Sequence, residues 1–155
     1  MMDGCPGSRM QDFRKKGDSA GDESGKRSSS LAQWPIQLHL VSPMAPYYQK
    51  ADVLLSADCV AYTVGDFHKD YLKGKSIAIA CPKLDEGQEE YVEKIKSLID
   101  DAKINTLTVM TMQVPCCAGL VAMAEEALHS AKRKIPIKSI VVSLQGDILS
   151  EDWVS

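Results

Sequence analysis

Short apolar runs rich in β-branched residues alternate with helical patterns from Leu31 onward, and this alternation restricts the fold more than any other feature of the chain. The pattern predicts five strands, at Ile36–Val41, Val53–Ala57, Ser76–Ala80, Thr106–Met112 and Ser139–Leu144. The middle three runs are almost continuously apolar, which is typical of strands covered on both faces. A parallel sheet buried between layers is therefore expected.

Two amphipathic segments separate the last three strands. Asp85–Lys103 carries one apolar stripe, and its Asp85 and Gln88 have the spacing of a capping box. Cys117–Lys134 carries another stripe and ends in three basic residues, which suit a helix C-terminus. Strand–helix–strand units predict an α/β domain, with a mostly parallel sheet of about four to five strands flanked by helices in Rossmann-like or flavodoxin-like layering.

The length and charge of the chain limit what else it can be. Its 155 residues are enough for one domain of ordinary size. Residues 1–30 are poor in large apolar side chains, which predicts a flexible N-terminal segment or linker before a domain at 31–155. A net charge of -3 argues against nucleic-acid binding. No apolar stretch is long enough for a membrane span, so a cytoplasmic protein without membrane partners is expected.

Five cysteines raise the question of redox or metal chemistry, because an odd number cannot all pair within one chain. Cys59 and Cys81 directly follow or end predicted strands, and Cys116 and Cys117 follow another at the start of the next helix. The carboxyl ends of parallel strands meet at one edge, where ligands usually bind. These four thiols are therefore predicted to share a cofactor or metal site.

Two other residues are candidates for the same edge. His68 is a possible ligand, and Asp85 is a possible hydrogen-bonding partner of the ligands. The helix N-terminus at Cys116 and Cys117 favours a thiolate, which is the form that binds metal. Adjacent cysteines seldom both reach one zinc ion in tetrahedral geometry. An iron–sulfur cluster accommodates them better, and zinc is the alternative. A single cysteine that ends a buried strand is, by contrast, usually a small apolar residue.

Several motifs together resemble one protein family. They lie at Leu31–Leu38, Ala57–Cys59, Asp66–His68, Leu72–Lys75, Cys81–Asp85 and Val114–Leu120, with a turn-like start at Gly4–Ser8. The chain is similar to the C-terminal domain of 4Fe-4S dicluster, ferredoxin-type iron–sulfur proteins of anaerobic bacteria and archaea. The resemblance implies an electron-transfer protein, or the partner domain of one, that works with a redox partner protein or a ferredoxin module.

The chain also departs from that family. Its members carry repeated Cys-x-x-Cys-x-x-Cys-x-x-x-Cys-Pro runs that hold [4Fe–4S] clusters, and this sequence has no such run. The family's ferredoxin clusters therefore cannot be transferred to these residues. Two explanations of this departure are open. The chain is a fragment that begins at an internal methionine, or it comes from a lineage that kept only the second domain.

Three functions are consistent with the sequence. The first is an iron–sulfur electron carrier or accessory domain, rather than an enzyme, with Cys59, Cys81, Cys116 and Cys117 as ligands. The second is a thiol redox enzyme with Cys116 or Cys117 as a low-pKa nucleophile. The third is a docking module whose cysteines are only buried structural residues.

Overall fold

Strands and helices alternate along the chain in the computed structural model, which describes residues 6–14 and 25–154. Within these residues the strands and α-helices, in chain order, are β1 (Gln11–Asp12), β2 (Gln33–Trp34), β3 (Asp52–Ala57), α1 (Val60–Thr63), β4 (Ser76–Ala80), α2 (Gln88–Asp100), β5 (Thr106–Met112), α3 (Ala118–Ser130), β6 (Ile137–Val142) and β7 (Ile148–Trp153). A π-helical turn (His68–Leu72) lies between α1 and β4, and a 3₁₀ turn (Pro115–Cys117) precedes α3.

The main sheet has five strands in the order β4-β3-β5-β6-β7. Neighbours from β4 to β6 are parallel, and β7 closes one side as an antiparallel edge strand. The predicted α/β class with a mostly parallel sheet is therefore confirmed. Parallel strands need crossover connections, and the helices α2 and α3 supply two of them.

The core forms where the apolar stripes of the helices meet the sheet. Helices α2 and α3 contact each other, and both bury one face. Their fully buried side chains include Tyr91, Ile95, Ile99, Leu120 and Ala124. None of the helices in the described part of the chain is long and apolar enough to cross a membrane.

Four of the five predicted strands are present, with small shifts at their ends. The strand predicted at Ile36–Val41 is wrong. Gln37 makes only an isolated parallel bridge to Ile79, after which Leu40 N and Val41 N both donate to Gln37 O and turn the chain. This local turn uses the backbone groups that a strand would pair. The antiparallel strand β7 was not predicted, because its mixture of apolar and acidic residues lacks a clear alternation.

The capping box predicted at Asp85 and Gln88 is also wrong. Helix α2 begins after Gly87, whose φ of 73° is left-handed, and no side chain caps it. Asp85 bonds instead to the preceding loop. At the other helix, Lys134 Nζ donates to the carbonyls of Leu128, His129 and Ala131. The prediction that basic residues suit the end of α3 is thus confirmed for Lys134.

Asp100 joins the end of α2 to the chain after α3, and this contact predicts an acid-sensitive contribution to stability. Its carboxylate accepts hydrogen bonds from Arg133 N at 2.9 Å and Lys132 N at 3.0 Å. Chiefly the bond from Arg133 lowers the pKa of Asp100 below its ordinary value. A carboxyl group with a lowered pKa stabilises the fold at pH values above its unfolded-state pKa. That stabilisation is lost as the pH falls through its folded-state pKa.

We therefore expect Asp100→Asn to lower the free energy of unfolding at neutral pH by about 1 kcal/mol or less, because the site is largely exposed. The deficit should shrink as pH falls below the unfolded-state pKa of about 4 and through the lower folded-state pKa, where the wild-type carboxyl becomes protonated. Urea unfolding at several pH values measures it, with the neighbouring Asp101→Asn as control. A deficit that is equal at all pH values would contradict this assignment.

Part of the predicted flexible segment contacts the domain. Strand β1 pairs antiparallel with β2, and Trp34 Nε1 donates to Gly7 O at 2.7 Å. Ser30 N donates to His68 Nδ1 at 2.9 Å. The remainder of that prediction concerns residues 1–5 and 15–24, which lie outside the described residues, as does Cys5.

Candidate functional site

The strand order creates a crevice at the carboxyl ends of β3 and β5. After β3 the chain crosses to β4 on one side, and after β4 it crosses to β5 on the other side of β3. The connections that leave β3 and β5 therefore diverge. Ligands in open α/β sheets bind at such a switch point.

All four predicted cysteines lie at this edge of the sheet. Cys59 follows β3, Cys81 follows β4, and Cys116 and Cys117 lie in the 3₁₀ turn after β5. Their convergence required these three strands to be neighbours, and the order β4-β3-β5 meets that condition. Cys59 and Cys116 are exposed, Cys81 is half-buried and Cys117 is buried, and all four are free thiols.

Cys117 is the central thiol of the group. Burial raises its pKa, and the neighbouring thiols of Cys116 and Cys59 raise it further, while a hydrogen bond from the Met112 backbone opposes the shift. Three thiols from β3 and β5 thus interact across the switch point.

These environments predict unequal thiol reactivity in metal-free protein. Alkylation requires an accessible thiolate, and Cys117 has neither access nor a favourable pKa. We expect iodoacetamide to modify Cys59 and Cys116 at least about tenfold faster than Cys117 near neutral pH. Mass spectrometry of timed samples measures the rates, and denatured protein is the control. Equal rates in the folded protein would contradict this order.

The loop after β4 is closed by Asp85. Its Oδ2 accepts a hydrogen bond from Cys81 N at 2.9 Å, and its own N–H donates to Cys81 O at 2.9 Å. The buried Tyr91 hydroxyl on α2 donates to the same carboxylate oxygen. Burial first, and then this hydrogen bond, raise the pKa of Tyr91. Asp85 therefore fixes the backbone that carries Cys81.

Asp58 is a site residue that the sequence analysis missed. Its backbone N–H donates to Ala80 O and thereby links the ends of β3 and β4. Its Oδ1 is buried and has no hydrogen-bond partner among residues 6–14 and 25–154. Burial, and then the charge of Asp85, raise the pKa of the Asp58 carboxyl. Its position in the sequence could have indicated it, because Asp58 is an acidic residue that directly follows a predicted apolar strand.

His68 is placed differently. It lies in the π-helical turn between α1 and β4, where its Nδ1 accepts from Ser30 N and its ring contacts Phe67. Among the described residues we find no contact between His68 and any of the four cysteines. The chain between Cys59 and His68 includes α1, which carries His68 away from the carboxyl end of β3.

A cleft of about 820 Å³ lies at the opposite edge of the sheet. Asp52 and Ser76, the first residues of β3 and β4, line it together with Arg14, Lys50 and Lys75. None of the four cysteines lines this cleft. The four thiols and this cleft therefore lie at opposite edges of the sheet.

The cysteines supply suitable donors for a soft metal or a cluster, but they are not yet gathered around one point. Within the described ranges 6–14 and 25–154, no group of three or more His, Cys, Asp or Glu side chains is arranged to hold a metal ion. The backbones nevertheless lie close, since a Cβ added at Gly119 in α3 would stand 3.5 Å from Pro82 Cβ. A four-thiol site would therefore require the cysteine side chains to rearrange.

The fold and the position of the site define an α/β protein with a switch-point crevice. The chain belongs to the Rossmann-like domain family, whose sequence profile matches residues 45–154. It is similar to an uncharacterized protein of Archaeoglobus fulgidus, with 31% identity over 120 residues that cover 76% of this chain and 82% of the relative. No solved structure matches. Neither description specifies a cofactor or a reaction.

Proposed function

We propose that this chain is an electron-transfer domain that holds an iron–sulfur cluster, or another thiolate-bound metal, at the switch point of its sheet. Cys59, Cys81, Cys116 and Cys117 would be the ligands. The observation that carries the proposal is the delivery of four free thiols to one edge by three neighbouring strands. The bound group would supply one-electron transfer. The partner would be a redox protein or a ferredoxin module, and four free thiols suit a reducing compartment such as the cytoplasm.

The donor set favours a soft metal centre. Thiolates select iron–sulfur clusters, zinc and copper(I) over hard cations such as magnesium. Cys116 and Cys117 are adjacent, and a cluster with several irons lets neighbouring thiolates bind different atoms.

The surroundings of the thiols include two acidic side chains. Asp58 Oδ1 is buried without a described partner, and the charge of Asp85 acts on it. Burial of an unpaired carboxylate is unfavourable, and the raised pKa of Asp58 favours its neutral form, which does not repel a centre held by four thiolates. Hydrogen bonds to groups around a metal orient the ligands, which is the role proposed for Asp85 at Cys81.

Anaerobic reconstitution of the metal-free chain with ferrous iron and sulfide tests the proposal. We expect stoichiometric iron and sulfide, a brown chromophore and an EPR signal in one oxidation state. The control is the same protein with its thiols alkylated before reconstitution. A colourless protein without stoichiometric metal overturns the proposal, and binding of zinc without sulfide overturns the electron-transfer part of it.

The second candidate, a thiol redox enzyme, is favoured by the contact between Cys116 and Cys117. Cys116 is exposed at the start of α3, where the helix dipole stabilises a thiolate. The raised pKa of Cys117 does not suit a nucleophile, so Cys116 would attack and Cys117 or Cys59 would resolve the mixed disulfide. Turnover of a disulfide substrate by metal-free protein, abolished in Cys116→Ser, would support this candidate. The docking module with only buried cysteines is less well supported, because Cys59 and Cys116 are exposed.

A further inference from the structure

Strand β7 leaves one edge of the main sheet open and carries exposed apolar side chains on it. Ile148, Leu149, Trp153 and Val154 are all exposed, with Trp153 at 61%. No described strand pairs with the outer side of β7. The other edge of the sheet is covered at β4, where Leu38 N donates to Ile79 O and Ile79 N donates to Ile36 O. The sheet therefore has one free edge among the described residues, and it is apolar at both ends.

The order of residues along this edge is symmetric. Reading outward from Glu151, the neighbours are Ser150 and Asp152, then Leu149 and Trp153, and then Ile148 and Val154. In both directions the polar or acidic centre is followed by two apolar residues. Because its apolar residues are placed symmetrically about Glu151, the strand can match an antiparallel copy of itself.

We propose that β7 is a homodimer interface, in which two copies pair antiparallel about a two-fold axis at Glu151 and extend the sheet across both subunits. In this register Leu149 lies opposite Trp153 of the second copy, and Ile148 lies opposite Val154. Every exposed apolar residue of the strand then has an apolar partner. Such cross-strand pairs are the unit of sheet stabilisation.

The hydrogen-bond pattern of β7 fits the same register. Val154 N donates to Ile137 O, so Val154 and Asp152 direct their backbone groups toward β6. Hydrogen-bonded and non-bonded pairs alternate along antiparallel strands. The backbone groups of Glu151 and Trp153 therefore point outward, where an antiparallel copy centred on Glu151 would bond to them.

Lys138 offsets the charge that this register brings together. Two Glu151 side chains face each other across the axis, which alone would oppose pairing. Lys138 Nζ on β6 lies 2.5 Å from Glu151 Oε2 and 5.3 Å from the centre of the Trp153 ring. Each acidic side chain therefore brings its own counter-ion. The β-bulge near Leu149 lies toward the two ends of the segment that the copies would pair. Because this pairing uses the free edge of each sheet, the assembly closes at two copies.

Sedimentation of the full chain over a range of concentrations, with reductant and chelator present, tests this inference without reference to the thiol site. We expect a reversible monomer–dimer equilibrium. Trp153→Ala removes two symmetric Leu–Trp pairs and should raise the dimer Kd about tenfold. Glu151→Gln removes the opposed charges and should lower it. Circular dichroism spectra verify that both variants are folded.

Tyr62→Ala is the matched control, because Tyr62 is an aromatic residue that is 95% exposed on α1 and is not part of β7. Its dimer Kd should equal that of the wild type. A wild-type chain that stays monomeric at every concentration overturns the inference. So does a dimer that Trp153→Ala leaves unchanged, or one that Tyr62→Ala weakens equally, since either result would indicate another interface.

Discussion

Replacement of Cys117 by serine should abolish stoichiometric uptake of iron and sulfide by the reconstituted chain, with a loss of metal affinity of roughly a hundredfold or more. Cys117 is the thiol that interacts with both Cys116 and Cys59, so it links the ligands from β5 to the ligand from β3. Serine is similar in size, but its hydroxyl is a poor ligand for soft metals. The folded structure should therefore survive while the site is lost.

The other cysteines provide a graded comparison. Cys59→Ser and Cys81→Ser should also lose the chromophore, because each removes the thiol supplied by one strand. Cys5→Ser is the control, since Cys5 is not one of the four proposed ligands. Iron and sulfide analysis with absorption spectra measures the loss, and denaturant unfolding of the metal-free variants tests folding. Wild-type metal content in Cys117→Ser, Cys59→Ser and Cys81→Ser would falsify the four-thiol assignment.

Replacement of Gly146 by alanine should lower the free energy of unfolding by about 3 kcal/mol or more. Gly146 has a φ of 95°, a backbone angle that residues other than glycine rarely adopt. A Cβ added there would stand 2.5 Å from Thr63 O. That oxygen belongs to backbone, so the clash cannot be relieved by a side-chain rotation. The loss is a large fraction of the roughly 5 to 15 kcal/mol that stabilises a typical domain.

The same turn also braces the switch-point crevice. Leu144 N donates to Gln113 Oε1 at the end of β5, and Gly146 contacts the end of α1, which follows Cys59. We expect Gly146→Ala to weaken metal uptake in addition to stability. Gly65→Ala is the control, because Gly65 has an ordinary φ and open space around it. Urea unfolding of both variants measures the difference, and equal stability of Gly146→Ala and Gly65→Ala would contradict the assigned clash.

The strands β3, β4 and β5 could be predicted from sequence because they are buried on both faces and read as continuous apolar runs. Strand β7 could not, since an edge strand shares its side chains with solvent and keeps no strict pattern. Ile36–Val41 has the composition of a strand, but hydrogen bonds to Gln37 O turn the chain after one bridge. Asp85 has the spacing of a helix cap, but the carboxylate bonds to Cys81 N and Tyr91.

At the site, too, the edge of the sheet at which the cysteines lie could be predicted from sequence, but their burial could not. Their position after predicted strands assigned all four to one edge of a parallel sheet, because parallel strands end together. Their depth was not predictable, and adjacent Cys116 and Cys117 differ in burial since a 3₁₀ turn directs one outward and one inward. His68 was predicted to lie near the thiols. Its position could not be derived from sequence, because it depends on the path of the connection that contains α1.

The sequence by itself determined the α/β class, the buried strands and the edge at which the thiols gather, because each follows from local apolar patterns and from the direction of parallel strands. The tertiary structure alone decided the strand order β4-β3-β5-β6-β7, which creates the switch point between Cys59 and the Cys116–Cys117 pair. It also brought Asp58 near Asp85 and left β7 as a free edge among the described strands. These features depend on contacts between residues far apart in the chain, which no local pattern encodes.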